Sequence, residues 1–273
     1  MMTRKDMVLP EFTETRFFPK KTKYCLLIPN FNERDHLLSQ IEKMKTQGIF
    51  DIVDTVLCDA GSTDGSADPE MLRDAGFCAL LVRHGKGRYS TDIRMGMGWA
   101  FEQGYKGVIT VDCNDKDDTS AVPRFIEKLD EGYDYIQGSR FIRGGYHENT
   151  PFVRLAAIKL IMVPLMSLGA HRFLTDSSNG FRAYSMRFLT DERVNPFREE
   201  FYLHEIVYYL PSIACRLKFR VIEIPVTRVY PATGEVPSHA TMSDNWKTIK
   251  VMLGLVGHKY WPEEAELTKQ EKR

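Results

Sequence analysis

The chain has 273 residues, of which 43% are apolar and 27% are charged, so collagen-like, low-complexity and disordered classes are excluded. Its 37 basic and 37 acidic residues give a formal net charge of zero, and no overall field is expected to attract nucleic acid. The five cysteines form no C-x-x-C pair, which argues against a disulfide framework or a structural zinc site and favours a reducing compartment. These features predict an enzyme-sized domain with no nucleic-acid partner.

Apolar runs and helical patterns alternate through the first half of the chain. Residues 1–22 are polar with scattered aromatic residues, and we expect them to form a flexible N-terminal arm. Strands are predicted at 24–28, 52–58, 79–82, 107–111 and 133–137, and helices at 35–47, 69–75, 90–103 and 121–129. This alternation with short loops is typical of a mostly parallel α/β sheet wound with right-handed crossovers.

The second half of the chain changes to helical patterns, with one predicted strand pair at 219–229. No repeat or linker is evident, so one domain is expected to cover 23–230, followed by a C-terminal helical extension at 231–273. The most apolar stretch, 155–170, falls short of the roughly 18–20 uninterrupted apolar residues that a membrane span needs. The first residues lack the apolar stretch of a signal peptide, so the cytoplasm is the expected location.

Polar clusters follow three of the predicted strands. They are PNFNE at 29–33, DAGSTDG at 59–65 and DCNDKDD at 112–118. In parallel α/β sheets, ligands bind beyond the carboxyl ends of the strands, and these clusters lie there. The sequence therefore predicts one binding site at this edge of the sheet.

The acidic cluster at 112–118 is a candidate metal site, because hard oxygen ligands on a loop suit Mg²⁺ or Mn²⁺ completed by substrate phosphates. Asp112 is the best candidate ligand since the preceding strand fixes its position, and Asn114 or Asp115 would be the second ligand. The alternative is an acidic turn that caps the helix predicted to begin at residue 121, with Thr119 or Ser120 as its N-cap. The residues alone leave both interpretations open.

Two further loops carry groups that suit a nucleotide. Asp59 can accept hydrogen bonds from ribose or a base, the alternative being a tight turn built on the two glycines of 59–65. Lys86 lies in the glycine-rich loop HGKGRYS at 84–90, where a cation can approach phosphate. The alternative for that loop is a solvated basic turn.

Arg140 and Arg182 lie in two later polar loops, where an arginine can hold a diphosphate bidentately. The alternative for each is an ordinary solvated face. The chain contains no G-x-x-x-x-G-K-[ST], G-x-G-x-x-G, H-E-x-x-H or G-x-S-x-G motif. Kinases, dinucleotide oxidoreductases, zinc proteases and α/β-hydrolases therefore lose their main support.

Six motifs follow one another in a fixed order. They stand at 28–33, 59–66, 85–87, 111–115, 138–145 and 176–182. In this order and spacing the chain, from residue 23 to 230, resembles the inverting family 2 glycosyltransferases of GT-A fold, especially the dolichyl-phosphate mannose synthase-like branch. The resemblance implies a metal-dependent inverting transferase. Such an enzyme moves a sugar from a UDP- or GDP-linked donor to a hydroxyl or lipid-phosphate acceptor in glycan or polysaccharide synthesis.

The resemblance also implies roles for individual residues. Asp112 and Asn114 would hold Mg²⁺ or Mn²⁺ against the donor diphosphate, and Arg140 and Arg182 would face phosphates of donor or acceptor. Glu205 would be the general base for a hydroxyl acceptor, whereas a phosphate acceptor needs no strong base. The residues implied to line the nucleotide pocket, where Asp59 reads the base or ribose, are Pro29, Asn32, Glu33, Asp59, Lys86 and Cys113.

The chain departs from the family pattern at several of these positions. Ala60 stands where many relatives have a second aspartate, and Asn114 replaces the second carboxylate of the metal pair. Lys116 stands where some relatives place a neutral metal ligand, and His239 lies near an expected lysine in the stretch 230–239. We expect the change at position 114 to weaken metal affinity unless Asp115 or Asp117 compensates.

Several alternatives stay open at this point. The helix around 151–172 is either an interfacial helix on a membrane surface, as in the family, or a buried core or dimer helix. Instead of a transferase, the chain would be a sugar-phosphate nucleotidyltransferase or a non-catalytic nucleotide-sugar-binding subunit. The resemblance also allows a homo-oligomer and a peripheral contact with the inner face of the membrane.

Overall fold

The fold is built from ten strands and ten helices within residues 2–232 and 242–261, the part of the chain that this computed structural model describes. The strands are β1 (Phe12–Arg16), β2 (Cys25–Asn30), β3 (Asp54–Asp59), β4 (Ala79–Arg83), β5 (Gly107–Thr110), β6 (Tyr135–Ser139), β7 (Tyr146–Glu148), β8 (Arg182–Ser185), β9 (Val221–Pro225) and β10 (Thr227–Val229). The helices are α1 (Arg34–Thr46), α2 (Ile49–Ile52), α3 (Pro69–Ala75), α4 (Tyr89–Glu102), α5 (Val122–Asp130), α6 (Phe152–Ala157), α7 (Val163–Ala170), α8 (Met186–Leu189), α9 (Glu205–Arg216) and α10 (Met242–Val256). A π-helical turn, Ile158–Met162, joins α6 to α7, and 3₁₀ turns stand at Arg4–Asp6 and Thr119–Ala121.

Eight of the described strands form one mixed sheet in the order β1-β4-β3-β2-β5-β8-β6-β9. The neighbours β4, β3, β2 and β5 are parallel, as are β6 and β9, whereas β1 and β8 run antiparallel to their neighbours. Strands β7 and β10 form a separate parallel pair. The predicted mostly parallel α/β sheet flanked by helices is confirmed.

Apolar side chains on both faces of the sheet create two core layers, because successive side chains of a strand point to opposite faces. On β2, Cys25 and Leu27 contribute to the layer that includes α4, α9 and α10. Leu26 and Ile28 contribute to the opposite layer, with α1, α3 and α5. All four side chains are fully buried. The sheet therefore lies between two sets of helices.

The N-terminal segment is part of the domain, so the prediction of a flexible arm is wrong. Strand β1 pairs antiparallel with the edge strand β4, which satisfies backbone groups that an open edge would leave exposed. The side chains of Met2 and Met7 are buried in the main core layer. Two buried methionines and one strand in a polar segment were enough to dock it.

The strands after residue 140 differ from the prediction. The expected pair at 219–229 is present as β9 and β10, but β9 pairs with β6 and β10 pairs with β7, so the two do not pair with each other. Strands β7 and β8 were not predicted. Each has only three or four residues and a polar composition, so no apolar run marks it. Strand β8 is nonetheless central, since it lies between β5 and β6.

The helix from Phe152 to Ala170 is 19 residues long with a mean hydropathy of 1.8, and 22% of its 18-residue window is buried. It is long and apolar enough to cross a membrane by length and composition, so the expectation that this stretch is too short is wrong. The reason is that the helix begins before residue 155 and continues through Pro164. Its C-terminal part, α7, packs against α9 and α10.

Only part of the predicted C-terminal extension, residues 231–232 and 242–261, is described by the structure. Helix α10 packs on α7 and α9, with Val251, Met252 and Leu255 buried. Residues 233–241, which include His239, and residues 262–273 lie outside the described part of the chain.

The docked N-terminus leads to a stability prediction. Removing residues 1–16 is expected to lower the free energy of unfolding by about 3 kcal/mol or more, because two buried methionines and a paired edge strand are lost. Thermal unfolding followed by circular dichroism checks this. As a matched pair, Met7→Ala is expected to lower the melting temperature and Val8→Ala, whose side chain is exposed, to leave it unchanged. Equal melting temperatures for the wild type and all the variants would support the prediction that residues 1–22 form a flexible arm.

Candidate functional site

The carboxyl ends of β2 and β3 are joined by a buried hydrogen bond. Asn30 and Asp59 are register partners on the two strands, and Asn30 Nδ2 donates to Asp59 Oδ1 at 2.7 Å. The same amide donates to Ser66 Oγ at 2.8 Å, which ties the loop after β3 to the sheet. Cys113, after β5, donates its thiol to Asn30 Oδ1 at 3.4 Å. The loops after β2, β3 and β5 therefore meet at one edge, as predicted.

Asp59 shapes this edge from inside. Its side chain is buried, with a residue exposure of 1%. Oδ2 accepts the backbone N–H groups of Gly61 and Ser62 at 2.8 Å each, and Oδ1 accepts from Asn30 and from the Ser62 hydroxyl. These four donors occupy all the acceptor positions of a carboxylate. The carboxylate thus forms the tight turn of the alternative interpretation, and the role of Asp59 in reading the base or ribose stays a prediction.

The other residues predicted to line a nucleotide pocket lie around the same edge. Asn32 has a positive φ of 52°, and its side-chain Oδ1 accepts the Thr63 N–H at 2.8 Å, so it links the loops after β2 and β3. Glu33 precedes α1 and pairs with His36. Pro29, on β2, is half-buried. These contacts fix the backbone of the pocket while the Asn32 side chain remains exposed.

Two predicted pocket residues differ in accessibility. Lys86 is exposed on the loop between β4 and α4. Beneath that loop, a buried ion pair of 2.5 Å joins Arg83 to Asp92, and burial raises the pKa of Asp92 to about 6. Cys113 is buried, and burial raises the pKa of its thiol well above its usual range, so it is an unreactive packing group.

Asp112 projects from the end of β5 into the centre of the site. Tyr89 Oη donates to its Oδ1 at 3.2 Å, and Arg228 Nη2 lies 3.5 Å from its Oδ2. The amide Nδ2 of Asn114 is 3.4 Å from the same Oδ2. Gly180 packs directly on this carboxylate, since a Cβ added there would lie 2.4 Å from Asp112 Oδ1. Both carboxylate oxygens thus have protein partners.

The remaining carboxylates of the acidic loop are used elsewhere. Asp115 accepts from Ser39 Oγ at 2.6 Å and Lys43 Nζ at 2.8 Å, both on α1. Asp117 is paired with Arg228, and Asp118 caps the following turn by accepting the Ser120 N–H at 3.0 Å. The acidic stretch thus ends in a capped turn, but the predicted caps Thr119 and Ser120 are wrong. Asp118 caps the 3₁₀ turn Thr119–Ala121, and the N-cap of α5, Ala121, makes no side-chain cap.

These contacts test the predicted metal site, Asp112 with Asn114. The Asn114 oxygen accepts the backbone N–H of Lys116, and its amide nitrogen faces Asp112. A guanidinium stands against one Asp112 oxygen. Within residues 2–232 and 242–261, no group of three His, Cys, Asp or Glu residues is placed to hold a metal ion. The residues present do not fit Mg²⁺ or Mn²⁺.

Three cations gather beside Asp112, around the ring of Tyr230: Lys116 and Arg228 are buried, and Arg154 is half-buried. Lys116 Nζ lies 5.2 Å from the ring centroid, Arg228 Cζ 5.7 Å and Arg154 Cζ 5.8 Å. We call Lys116, Arg154, Arg228 and Tyr230 the Tyr230 cation cluster. Burial and the neighbouring Arg228 charge lower the pKa of Lys116 to about 8. The backbone holds the loop in place: Val229 N–H donates to Lys116 O at 2.8 Å.

The cluster is the part of the site that sequence reasoning missed. Arg228, Tyr230 and Arg154 were assigned no role there. The available signal was a charged residue inside the apolar segment VTRVY at 226–230, where a strand that buries an arginine needs a partner for it. The partner, Asp117, is more than a hundred residues away in sequence, so only the fold identifies it.

Arg140 and Arg182 are buried and hydrogen-bonded to the protein, and their predicted phosphate role stays a prediction. Arg140 makes a buried bidentate pair with Asp176, with bonds of 2.6 and 2.8 Å. Burial favours a raised pKa for Asp176, but the arginine outweighs it and the pKa is lowered. Arg182 donates to the backbone carbonyls of Asn179 at 2.7 Å, Ser177 at 2.9 Å and Val207. Both guanidiniums hold loops together.

Glu205 stands at the first turn of α9 and is buried. Its Oε2 accepts the Leu203 N–H at 2.6 Å, and burial raises the pKa of the carboxyl group. This contact stabilises the start of the helix. The general-base role predicted for Glu205 stays a prediction.

The comparison with protein families follows from this fold and site. The family described as Glycosyl transferase family 2 matches residues 25–191, more than half of the chain. The chain belongs to this family. It is therefore a glycosyltransferase, and the nucleotidyltransferase and non-catalytic alternatives are set aside.

Curated relatives of this family 2 glycosyltransferase are 26–27% identical to it. They include the polyprenol monophosphomannose synthase of Mycolicibacterium smegmatis (26% over 211 residues, 74% of this chain and 76% of that protein). The dolichol-phosphate mannosyltransferase of Pyrococcus furiosus is 26% identical over 222 residues, 78% of this chain. The undecaprenyl-phosphate 4-deoxy-4-formamido-L-arabinose transferase of Klebsiella pneumoniae is 27% identical over 217 residues, 77% of this chain. The chain spans only 58% and 60% of the last two proteins.

Solved structures share the GT-A fold of the enzyme. Glucosyl-3-phosphoglycerate synthase from Mycobacterium tuberculosis, in complex with Mn²⁺, UDP and phosphoglyceric acid, superposes with a TM-score of 0.60. The two chains are 13% identical, and the match covers 86% of this chain and 78% of that one. This likeness shows the fold alone.

The packing of Gly180 on Asp112 yields a prediction. Gly180→Ala is expected to push the Asp112 carboxylate away from Tyr89 and Arg228 and to lower transferase activity about tenfold or more, the effect of losing a charged hydrogen bond. Gly169→Ala on α7 is the matched control, because Gly169 has helical backbone angles and a Cβ there meets only ordinary contacts, Ser212 Oγ at 3.6 Å and Val256 Cγ2 at 3.9 Å. Steady-state rates and melting temperatures of both variants check this. Full activity in Gly180→Ala would show that the position of Asp112 does not matter.

Proposed function

We propose that this family 2 glycosyltransferase moves a sugar from a nucleotide-diphosphate sugar to the phosphate of a polyprenyl lipid, with inversion at the anomeric carbon. The donor would bind at the edge formed by the loops after β2, β3 and β5. The curated relatives include a polyprenol monophosphomannose synthase and an undecaprenyl-phosphate sugar transferase, which supports the acceptor class.

One observation carries the choice of a lipid-phosphate acceptor. Helix α6 supplies Arg154 to the Tyr230 cation cluster, while its neighbours Phe152 and Val153 are 83% and 80% exposed. Leu160 is 75% exposed on the π-helical turn. Apolar side chains of this kind bury themselves in a lipid surface, and the adjacent cations suit a phosphate headgroup. The apolar surface and one cation of the Tyr230 cation cluster thus belong to one helix.

The proposed reaction needs no strong base. A phosphate oxygen of the acceptor attacks the anomeric carbon from the face opposite the diphosphate. The new carbon–oxygen bond forms as the bond to the diphosphate breaks, and the electron pair leaves with the nucleoside diphosphate. A phosphate oxygen is already ionised at neutral pH, so no proton has to be removed. This supports a structural place for Glu205 at the start of α9.

Negative charge develops on the diphosphate as it leaves, and positively charged groups beside it stabilise that charge. The proposed reaction does not include the Mg²⁺ or Mn²⁺ predicted from the resemblance, because Asn114 and the cations beside Asp112 do not fit a divalent metal.

We place the activity at the cytoplasmic face of a membrane, supported by five free cysteines that suit a reducing compartment. A homo-oligomer stays a prediction.

A transfer assay tests the function. The full chain is incubated with radiolabelled GDP-mannose or UDP-glucose and with polyprenyl phosphate in detergent, and the label is extracted into organic solvent. Label in the lipid fraction with one of the two donors is the expected result. Transfer only to water-soluble hydroxyl acceptors, with none to the lipid phosphate, would overturn the proposed acceptor.

A membrane-binding experiment tests the acceptor side separately. The double variant Phe152→Glu with Leu160→Glu is expected to lose about tenfold or more of its binding to phosphatidylethanolamine–phosphatidylglycerol vesicles, because two apolar side chains no longer enter the lipid. Ile52→Glu, at an exposed apolar position on α2, is the control and should bind as the wild type does. Co-sedimentation measures both. Equal binding by all three proteins would show that this helix does not contact lipid.

A further inference from the structure

The acidic loop of this enzyme carries its own positive charge where the resemblance places a metal ion. We propose that the buried cations Lys116 and Arg228 take the place of the divalent metal, so that the nucleoside diphosphate binds and departs without Mg²⁺ or Mn²⁺. This inference rests on the proposed nucleotide-sugar donor for the identity of the diphosphate.

The Asp112 carboxylate already has protein partners at both oxygens. A metal ion would need its oxygens, yet Arg228 stands at one of them and Tyr89 at the other. Gly180 closes a further side, because it packs against Oδ1 without room for a Cβ. A divalent cation at Asp112 would have to displace a guanidinium and then sit beside it.

Asn114 offers no carboxylate to such an ion. It turns its amide nitrogen to Asp112 and its oxygen to the Lys116 N–H. Asp115 Oδ2 accepts from Ser39 and Lys43 on α1, and its Oδ1 is buried. The position beside Asp112 therefore lacks the second carboxylate that Mg²⁺ and Mn²⁺ prefer.

Arg228 and Lys116 lie beside the carboxylate to which a metal ion would bind. Arg228 bridges Asp112 and Asp117, and Lys116 lies between those two acidic residues in sequence, packed on the Tyr230 ring. The backbone pairing of residues 116–118 with β10, through Asp118 N–H to Thr227 O at 3.1 Å and Val229 N–H to Lys116 O at 2.8 Å, keeps both cations at this position. A cation held in advance needs no reorganisation when charge appears on a phosphate.

Lysine and arginine can supply the positive charge that a metal ion would place beside the diphosphate. Both donate charge-assisted hydrogen bonds to phosphate oxygens, and arginine does so bidentately. Both are buried here, where electrostatic interactions are stronger than in water. When the glycosidic bond to the diphosphate breaks, these two side chains meet the developing negative charge.

The charge of the loop suggests a variant in which a metal ion could bind in place of the side-chain cations. Replacing Asn114 by aspartate adds one negative charge to the loop, and replacing Lys116 by glutamine removes one positive charge. The double variant N114D/K116Q thus lowers the net charge of the loop by two units, which is the charge of one divalent cation. It also offers a carboxylate at 114 and a neutral amide oxygen at 116 beside Asp112. We expect this variant to acquire a Mn²⁺ site.

Direct Mn²⁺ binding is the first measurement. Electron paramagnetic resonance of free Mn²⁺ is recorded with the wild-type protein and with N114D/K116Q, without nucleotide. The wild type is expected to bind no Mn²⁺ below the order of 1 mM, and the double variant to bind one ion more tightly. K45Q/K128Q makes the same change of net charge on α1 and α5 and is expected to bind none.

Nucleotide binding is the second measurement. Calorimetric titration of GDP and UDP into the wild type is expected to give the same affinity in EDTA and in Mn²⁺, within twofold. K116Q is expected to weaken binding in EDTA about tenfold or more, the loss of one charge-assisted hydrogen bond, whereas K128Q changes nothing. Far-UV circular dichroism confirms that each variant is folded.

The outcomes separate this inference from the proposed function. A wild type that binds one Mn²⁺, or whose GDP or UDP affinity rises tenfold or more with Mn²⁺, overturns the inference. A folded N114D/K116Q that gains no Mn²⁺ overturns it as well. If neither GDP nor UDP binds under any condition, the proposed donor fails, and the Mn²⁺ measurement still decides whether these cations exclude a metal.

Discussion

The pairing of Arg228 with Asp112 and Asp117 is the interaction on which the site depends. One guanidinium from β10 bridges two carboxylates of the loop after β5, and backbone hydrogen bonds between residues 116–118 and β10 run beside it. Burial of this arginine is tolerable only because both acidic partners are in place. The same pairing positions Lys116, so the electrostatics of the loop follow from one contact between distant parts of the chain.

The rest of the strand-end edge is organised by buried charged groups that are hydrogen-bonded to the protein. Asp59 uses all its acceptor positions to shape the loop after β3, and Arg140 and Arg182 bind loops to one another. Each of these side chains is buried with its hydrogen bonds satisfied, as buried charged groups require. A rigid pocket results, in which a few side chains such as Lys116 and Asp112 carry the charge near a ligand.

The helix from Phe152 to Ala170 connects this charge to an apolar surface. Its first turn exposes Phe152 and Val153 and also directs Arg154 to Tyr230, while α7 is held by α9 and α10. An acceptor with an apolar tail and an ionised phosphate matches both parts of the surface. Such an acceptor also removes the need for a general base, which agrees with Glu205 stabilising the start of its own helix.

The sequence by itself determined the mostly parallel sheet, the strand-end position of the site and the family, because buried strands, helical periodicity and loop motifs are local signals. It could not predict the docking of residues 2–16, the strands β7 and β8, or the partners of Arg140, Arg182 and Arg228. Those depend on pairings between residues far apart in the chain, as with Arg228 and Asp117. Asn114 and Lys116 were visible as departures from a metal-binding pattern. Only the tertiary structure decided what they do, because the charge around Asp112 is the sum of groups that folding alone brings together.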